Sequence, residues 1–362
     1  MRICVDATSL LLRSAGVKNY AYHWMSSLRE ELPPDTVTAF PLLGEVGELN
    51  HEQSVYSKWH TLGRLALLYL SNVRGSPLVD YLVGDVDVFH ASSLLRNLPK
   101  RTKLTGTIYD MTALIMPEVH TEGNIKAEKR FHANVVRRAD GLIAISESAK
   151  SDAVRMLRLD PRLITVIYPG IDQRFFTAQP LRRAKPYLLF VGTIEPRKNV
   201  DTLLDAWLEM PMEVRQAYDL VLAGPKGWSA ERTVDRLTSG IVGVDYLGYV
   251  PEADLPALTA GALGFVYPSL YEGFGFPLAQ AMAAGIPCVT SNISALPEVA
   301  GDAALLVDPK SSFELRDAMW QLVDSADLRD ELGRKARMQA SQFTWKNSAQ
   351  LSAEFFRRVC GS

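Results

Sequence analysis

A chain of 362 residues is too long for one ordinary hydrophobic core, and two domains of roughly 150–200 residues each are expected. Hydrophobic residues at 47% and charged ones at 22% exclude disordered and fibrous classes. A net charge of −2 gives no electrostatic reason to expect a nucleic-acid partner.

The chain opens on a strand, RICVD (2–6), with none of the apolar run of a secretory leader. An amphipathic segment, NYAYHWMSSLREEL (19–32), follows. Short apolar runs then read as strands: VTAF (37–40), VDVFH (86–90), LTGTIY (104–109), GLIAIS (141–146) and ITVIY (164–168). Within that series, IKAEKRFHANVVRRA (125–139) has a helical period and carries Lys126, Lys129, Arg130, Arg137 and Arg138. The longest apolar cluster, LALLYL (65–70), falls far short of the roughly 18 residues of a membrane span. QRFFTAQPLRRAKP (173–186) has no period and two prolines, and reads as a linker. The theme then restarts with YLLFVG (187–192), LVLAG (220–224), VDYLG (244–248), LGFVYPS (263–269), PCVTS (287–291) and AALLVD (303–308). SAQLSAEFFRRVC (348–360) reads as a terminal helix.

Near-continuous apolar strands alternating with helices predict parallel sheets covered on both faces. The expected fold is α/β, with two doubly wound, Rossmann-like domains whose ligand edges face across a cleft. The boundaries read as 1–176 for a first domain and 177–345 for a second, with 346–362 packing back on the first. Cys4, Cys288 and Cys360 are too dispersed for a disulfide framework or a zinc site, and a cytoplasmic location is expected.

Two stretches of the second half carry chemistry. In VGTIEPRKNVDTLLDAW (191–207) a strand ends at Gly192, and Arg197 and Lys198 stand where the chain enters a helix. Cations and unpaired N–H groups at a helix start suit a phosphate or diphosphate; the plain alternative is a solvated surface pair. In SLYEGFGFPLAQAMAAG (269–285), Glu272 leads a glycine turn and Pro277 suits the first helical position. Gly273 and Gly275 let the backbone approach an anion closely. A carboxylate beside a bound diphosphate is repelled by it, so Glu272 is expected to serve sugar hydroxyls further out.

These stretches, with DLVLAGPKGW, YLGYVPEADLPALTAGALGFVYPS, LPEVAGDAALLVDP, MRICVDATSL, ADGLIAISESAKSDAVRML and VIYPGID, resemble retaining glycosyltransferases of the GT-B fold, family 4 in particular. The likeness covers nearly the whole chain in the family's order. It implies that Arg197 and Lys198 hold the donor diphosphate and that Glu272 contacts the transferred sugar. Gly273, Phe274, Gly275 and Phe276 would offer amides, and Gly192 would belong to the same donor site. Tyr249 and Val250 would meet the base, Leu255 would line its pocket, and Gly16 and Val17 would match a glycine loop near the phosphate and acceptor.

Three positions depart from the family pattern. Gln280 stands where relatives have a second acid that grips the ribose hydroxyls. Tyr109-Asp110 replaces a His-Asp pair, and Tyr109 does not titrate near neutrality. Lys18 replaces a small residue, either to meet an anionic ligand or as a solvated side chain. Asp85-Val86-Asp87 spells an Asp-x-Asp metal motif but begins a strand, the wrong end of a sheet for a ligand. His90, at a strand's carboxyl end, reads as a structural histidine. No metal and no cofactor are expected.

The resemblance is strongest to polysaccharide mannosyltransferases, which implies a nucleotide-sugar donor, GDP-mannose before UDP-glucose. The acceptor would be a glycan or lipid-linked glycan of the cell envelope, with the basic stretch 126–138 touching the anionic inner membrane face. The alternatives are a nucleotide-sugar epimerase of the same fold and a non-catalytic nucleotide-sugar-binding protein. A dehydrogenase is disfavoured because ATSLLLRSAG, not a Gly-x-Gly-x-x-Gly turn, follows the first strand.

Overall fold

The structure, a computed structural model, describes residues 1–11, 16–34, 36–41, 49, 54–92 and 94–361. The chain divides into two compact units, Met1–Gly170 with Thr344–Ser362, and Ile171–Phe343.

The first unit holds β1 (Ile3–Asp6), β2 (Val37–Phe40), β3 (Val88–Ala91), β4 (Lys103–Ile108), β5 (Gly141–Ala144) and β6 (Ile164–Val166). They form one parallel sheet in the order β2-β1-β3-β4-β5-β6, so the order reverses between β1 and β3. Both faces are covered, which is why these runs are apolar; Phe89, Leu142 and Ala144 are fully enclosed. Helices α1 (Gly16–Glu31), α2 (Lys58–Ser71) and α3 (Leu78–Val83) lie between β1 and β3 in sequence. The terminal helix Trp345–Cys360 packs on α1, where the Trp24 indole N–H donates to Ser352 Oγ at 2.9 Å. Gly170 lets the chain pass close to the start of that helix, because a Cβ there would sit 2.1 Å from the Trp345 backbone nitrogen.

The second unit holds β7 (Tyr187–Val191), β8 (Asp219–Ala223), β9 (Val244–Gly248), β10 (Gly264–Tyr267), β11 (Cys288–Ser291) and β12 (Ala304–Val307). Its parallel order is β12-β11-β10-β7-β8-β9, the arrangement of a dinucleotide-binding sheet, with the reversal between β7 and β10. All twelve expected strands form. The stretch that read as a linker from 173 is instead anchored to this unit. Ile171 N–H donates to the Phe343 carbonyl at 3.0 Å, Gln173–Phe176 makes one helical turn, and Phe175 is buried. A single turn is too short to show a period. Among the described residues no helix is long and apolar enough to cross a membrane.

Candidate functional site

Ligands of doubly wound sheets gather at the strands' carboxyl ends where the order reverses. In the second unit that point is the pair β7 and β10, and the two loops leaving them carry both motifs. The loops are stitched together. Leu270 N–H donates to the Arg197 carbonyl at 2.8 Å. The Asn199 amide donates to the carbonyls of Pro268 (3.0 Å) and Pro309 (2.6 Å). Asn199 sits at φ 58°, turning the chain from the Pro196–Lys198 turn into the helix Val200–Leu208.

Glu272 is held by four donors. Its Oε1 accepts from Lys198 Nζ (2.5 Å), Ser269 Oγ (2.6 Å) and the Tyr267 hydroxyl (2.9 Å), and its Oε2 meets Arg197 Nη1 at 2.9 Å. Arg197 is fixed from its other side by Glu195 Oε1 at 2.8 Å and by the Tyr271 carbonyl at 2.7 Å. Lys198 also donates to the Tyr267 hydroxyl at 2.5 Å, and its third N–H has no partner among the described residues. The cluster is two carboxylates against two cations, nearly dry, with Glu272 at 7% exposure.

Burial alone would raise the Glu272 carboxyl, but Arg197, Lys198 and the hydrogen bonds outweigh it and hold its pKa at about 2. Burial first, and then the Arg197 charge, lower the Lys198 pKa, and contact with the ionised Glu272 opposes that fall. Here the structure differs from the sequence reading, which set Glu272 apart from the cations. With no ligand present it lies between them, because a buried carboxylate must be paired. Oε1 is saturated, whereas Oε2 has room for one further hydroxyl donor.

The glycine turn follows. Gly275 stands at φ 94° and starts the helix Phe276–Ala283, with Pro277 second in it and not first. Gly273 is buried in the turn, and Phe274 is a core residue packed edge-on against Phe276 and Phe343, each ring 5.3 Å away. The Phe274 side chain is therefore not a ligand contact. Gln280 is half-buried on the same helix, and its amide has no hydrogen-bond partner among the described residues.

The carboxyl ends of β7, β8 and β9 are tied in register through Gly192 N–H to the Ala223 carbonyl (2.9 Å) and Gly224 N–H to the Gly248 carbonyl (2.7 Å). Tyr249, 45% exposed, with Val250 beside it, is thus at the same edge two strands from β7, about 10 Å away at ordinary strand spacing. Leu255, partly buried, opens the short helix Leu255–Ala260.

In the first unit the stretch read as a glycine loop is helical. Gly16 and Val17 are the exposed first residues of α1; Ala15 lies outside the described residues. Nothing lies within 4 Å of a Cβ built on Gly16, so no close approach demands glycine there. Lys18 is fully buried, not solvated, and burial draws its pKa down to about 8. Tyr109 meets Tyr20 edge-on at 5.3 Å, and burial pushes its phenol far above the ordinary range. Asp110 uses Oδ1 to accept from Thr112 N–H (2.9 Å) and Thr112 Oγ1 (2.5 Å), leaving Oδ2 without a hydrogen bond among the described residues. At the reversal point of this sheet the buried Asp6 accepts from Ser92 Oγ at 2.6 Å and Thr8 N–H at 3.1 Å.

Several residues were missed by sequence reasoning. Glu195, Tyr267 and Ser269 shape the charged cluster, yet each reads as ordinary strand or loop in sequence. Glu128, which burial and the charge of Asp110 push up to about 7, is masked in sequence by the cations around it. Its i,i+4 spacing to the buried His132, 3.7 Å away, was the available signal.

The Asp-x-Asp pair lies at the amino end of β3, where Asp87 accepts from Arg2 N–H at 2.6 Å. His90 is closed off, bonded at 3.0 and 2.9 Å to Thr105 and Thr107, with burial pushing its pKa down to about 3.

Comparisons with known proteins bear on the family and the fold. Residues 172–339 match the family Glycosyl transferases group 1, and residues 16–175 match Glycosyltransferase Family 4. O-antigen chain mannosyltransferase B of Escherichia coli is 34% identical over 265 residues, covering 69% of this chain and 69% of that protein. The serotype-specific mannosyltransferase WbdA of Escherichia coli is 28% identical over 305 residues, which is 79% of this chain but only 37% of WbdA. Among solved structures, sucrose-phosphate synthase from Thermosynechococcus elongatus matches with a TM-score of 0.74 over 99% of both chains at 18% identity, a likeness of fold. With two parallel six-stranded sheets and these relatives, the chain belongs to the group 1, family 4 glycosyltransferases and is a glycosyltransferase of the GT-B fold.

Proposed function

We propose that the protein transfers mannose from GDP-mannose, with retention of configuration and without a metal, to a glycan or lipid-linked glycan in cell-envelope polysaccharide assembly. The observation that carries the reading is the cluster of Arg197, Lys198 and Glu272 at the β7–β10 reversal point. The unpartnered N–H of Lys198 meets the diphosphate, and Oε2 of Glu272 takes a sugar hydroxyl. Gln280 holds the ribose with its unpartnered amide, and the base reaches Tyr249 and Val250. A ribose and base span about the two-strand distance from β7 to β9. Gly192, Leu255 and the amides around Gly273, Gly275 and Phe276 complete the donor contacts.

In the reaction the bond from the anomeric carbon to the leaving phosphate breaks, and the acceptor oxygen bonds that carbon on the same face. The acceptor proton passes to the leaving phosphate. Arg197 and Lys198 stabilise the charge growing on that phosphate, an electrostatic role that needs no metal. Asp110, through its unpartnered Oδ2, orients the sugar or acceptor, and Tyr109 contributes packing, since its phenol keeps its proton.

Mannose is favoured over other sugars by the two mannosyltransferase relatives, and the paired, buried cluster argues against a decayed, inert site. Melting curves with GDP-mannose, UDP-glucose and each parent nucleotide test the donor, followed by transfer assays with and without EDTA. Stabilisation by GDP-mannose and an EDTA-resistant α-mannoside product are expected. Stabilisation by UDP-sugars alone, or an epimerised donor in the absence of acceptor, would overturn the reading.

A further inference from the structure

Helix α2 carries an apolar stripe that no described residue covers. Trp59, Leu62, Ala66, Tyr69 and Leu70 recur at i, i+3, i+7, i+10 and i+11, one face of a helix, and Val73 extends it just past the end. All six are exposed, Trp59 at 82% and Tyr69 at 74%. The opposite face secures the helix, with Ser71 buried and Leu68 packed on the core of the first unit. Tyr81 of α3, 84% exposed, adds a third aromatic ring to the surface of this segment. A contiguous patch of this kind marks an interaction surface, unlike scattered single residues.

The charge around the stripe indicates its occupant. Residues 54–79 contain no acid, and residues 54–109 hold seven Lys/Arg against three Asp. Arg96 lies beside the end of α2, its N–H donating to the Asn72 side chain at 2.7 Å. Lys100 lies beside α3, its N–H donating to Asp80 at 2.9 Å. Lys58, the first residue of α2, and Arg74, just past its end, are exposed. Aliphatic side chains at the acyl boundary, Trp and Tyr at headgroup level and cations on lipid phosphates fit an anionic bilayer surface.

We propose that α2 lies on an anionic membrane surface through its Trp59–Leu62–Tyr69 face. The basic stretch 126–138 is the weaker candidate. Lys126 is paired with Glu122 at 3.0 Å, and no large hydrophobic residue of that stretch is exposed. The proposal rests on the proposed function for its membrane setting alone.

The test is sedimentation of the full chain, without donor or acceptor, with phosphatidylglycerol-containing vesicles and with phosphatidylcholine vesicles. The wild type is expected to pellet with the former and not the latter. Trp59→Ser with Tyr69→Ser weakens that partition about a hundredfold, roughly tenfold for each ring withdrawn. The same variant keeps its melting temperature and its shift with GDP-mannose. Arg137→Gln with Arg138→Gln has the smaller effect. A wild type that fails to bind, or a double variant that binds equally, overturns the proposal. So does a lipid-free dimer that the double substitution dissociates, which would assign the face to a second copy. None of these outcomes alters donor binding, so the transferase reading stands or falls separately.

Discussion

At the residue scale the question is what Glu272 does when no ligand is present. Its carboxyl is held at about 2 against an unperturbed 4.5, so the folded state prefers the charged form. That stabilisation is fully present above the unfolded pKa, near 4.5, and is lost as pH falls through about 2. A shift of this size corresponds to about 3 kcal/mol. Glu272→Gln should lower stability at neutral pH by about 3 kcal/mol or more, because it leaves two buried cations under-paired. The gap to wild type should narrow as pH drops from 4.5 toward 2, measured by urea unfolding at each pH; a gap independent of pH would contradict the pairing. Gln280 gives the opposite kind of prediction. Its amide can serve two ribose hydroxyls, but a neutral hydrogen bond is worth less than a charged one. Gln280→Glu should therefore bind GDP-mannose about tenfold more tightly by calorimetry. Unchanged or weaker binding would remove Gln280 from the ribose.

At the element scale, strands were far more legible than helices. Runs such as YLLFV and CVTS are buried on both faces, so their composition alone marks them. The positions of Arg197, Lys198 and Glu272 were legible from motif and loop placement. Their mutual pairing was not, because spacing within one loop says nothing about a partner on another loop. Tyr267 was hidden for a related reason: a tyrosine ending a strand looks like packing until its hydroxyl is seen between Lys198 and Glu272. Helix α2 escaped because LALLYL is a continuous apolar run, which hides the helical period. The short turn at Gln173–Phe176 escaped because one turn has no period. The terminal helix was legible, and it supplies a prediction of its own. Gly170→Ala forces a Cβ to within 2.1 Å of the Trp345 backbone nitrogen, a contact only main-chain movement can relieve. Overpacking of that kind costs about 1–3 kcal/mol. The melting temperature should fall by several degrees, with hydrogen exchange accelerated in residues 345–360; an unchanged melting curve would contradict the packing.

At the scale of the whole molecule, two doubly wound sheets with different strand orders share one chain, and the charged cluster belongs to the sheet whose order reverses at β7 and β10. The family assignment rests on both halves, since a separate family matches each. Calorimetry of GDP and guanosine on wild type and Lys198→Met decides whether Lys198 and its neighbours hold the donor diphosphate. Methionine keeps most of the buried volume and removes the charge. GDP binding should weaken about 10–100-fold, the worth of one charged hydrogen bond, while guanosine binding is unchanged. Equal weakening of both ligands, or of neither, would contradict that role.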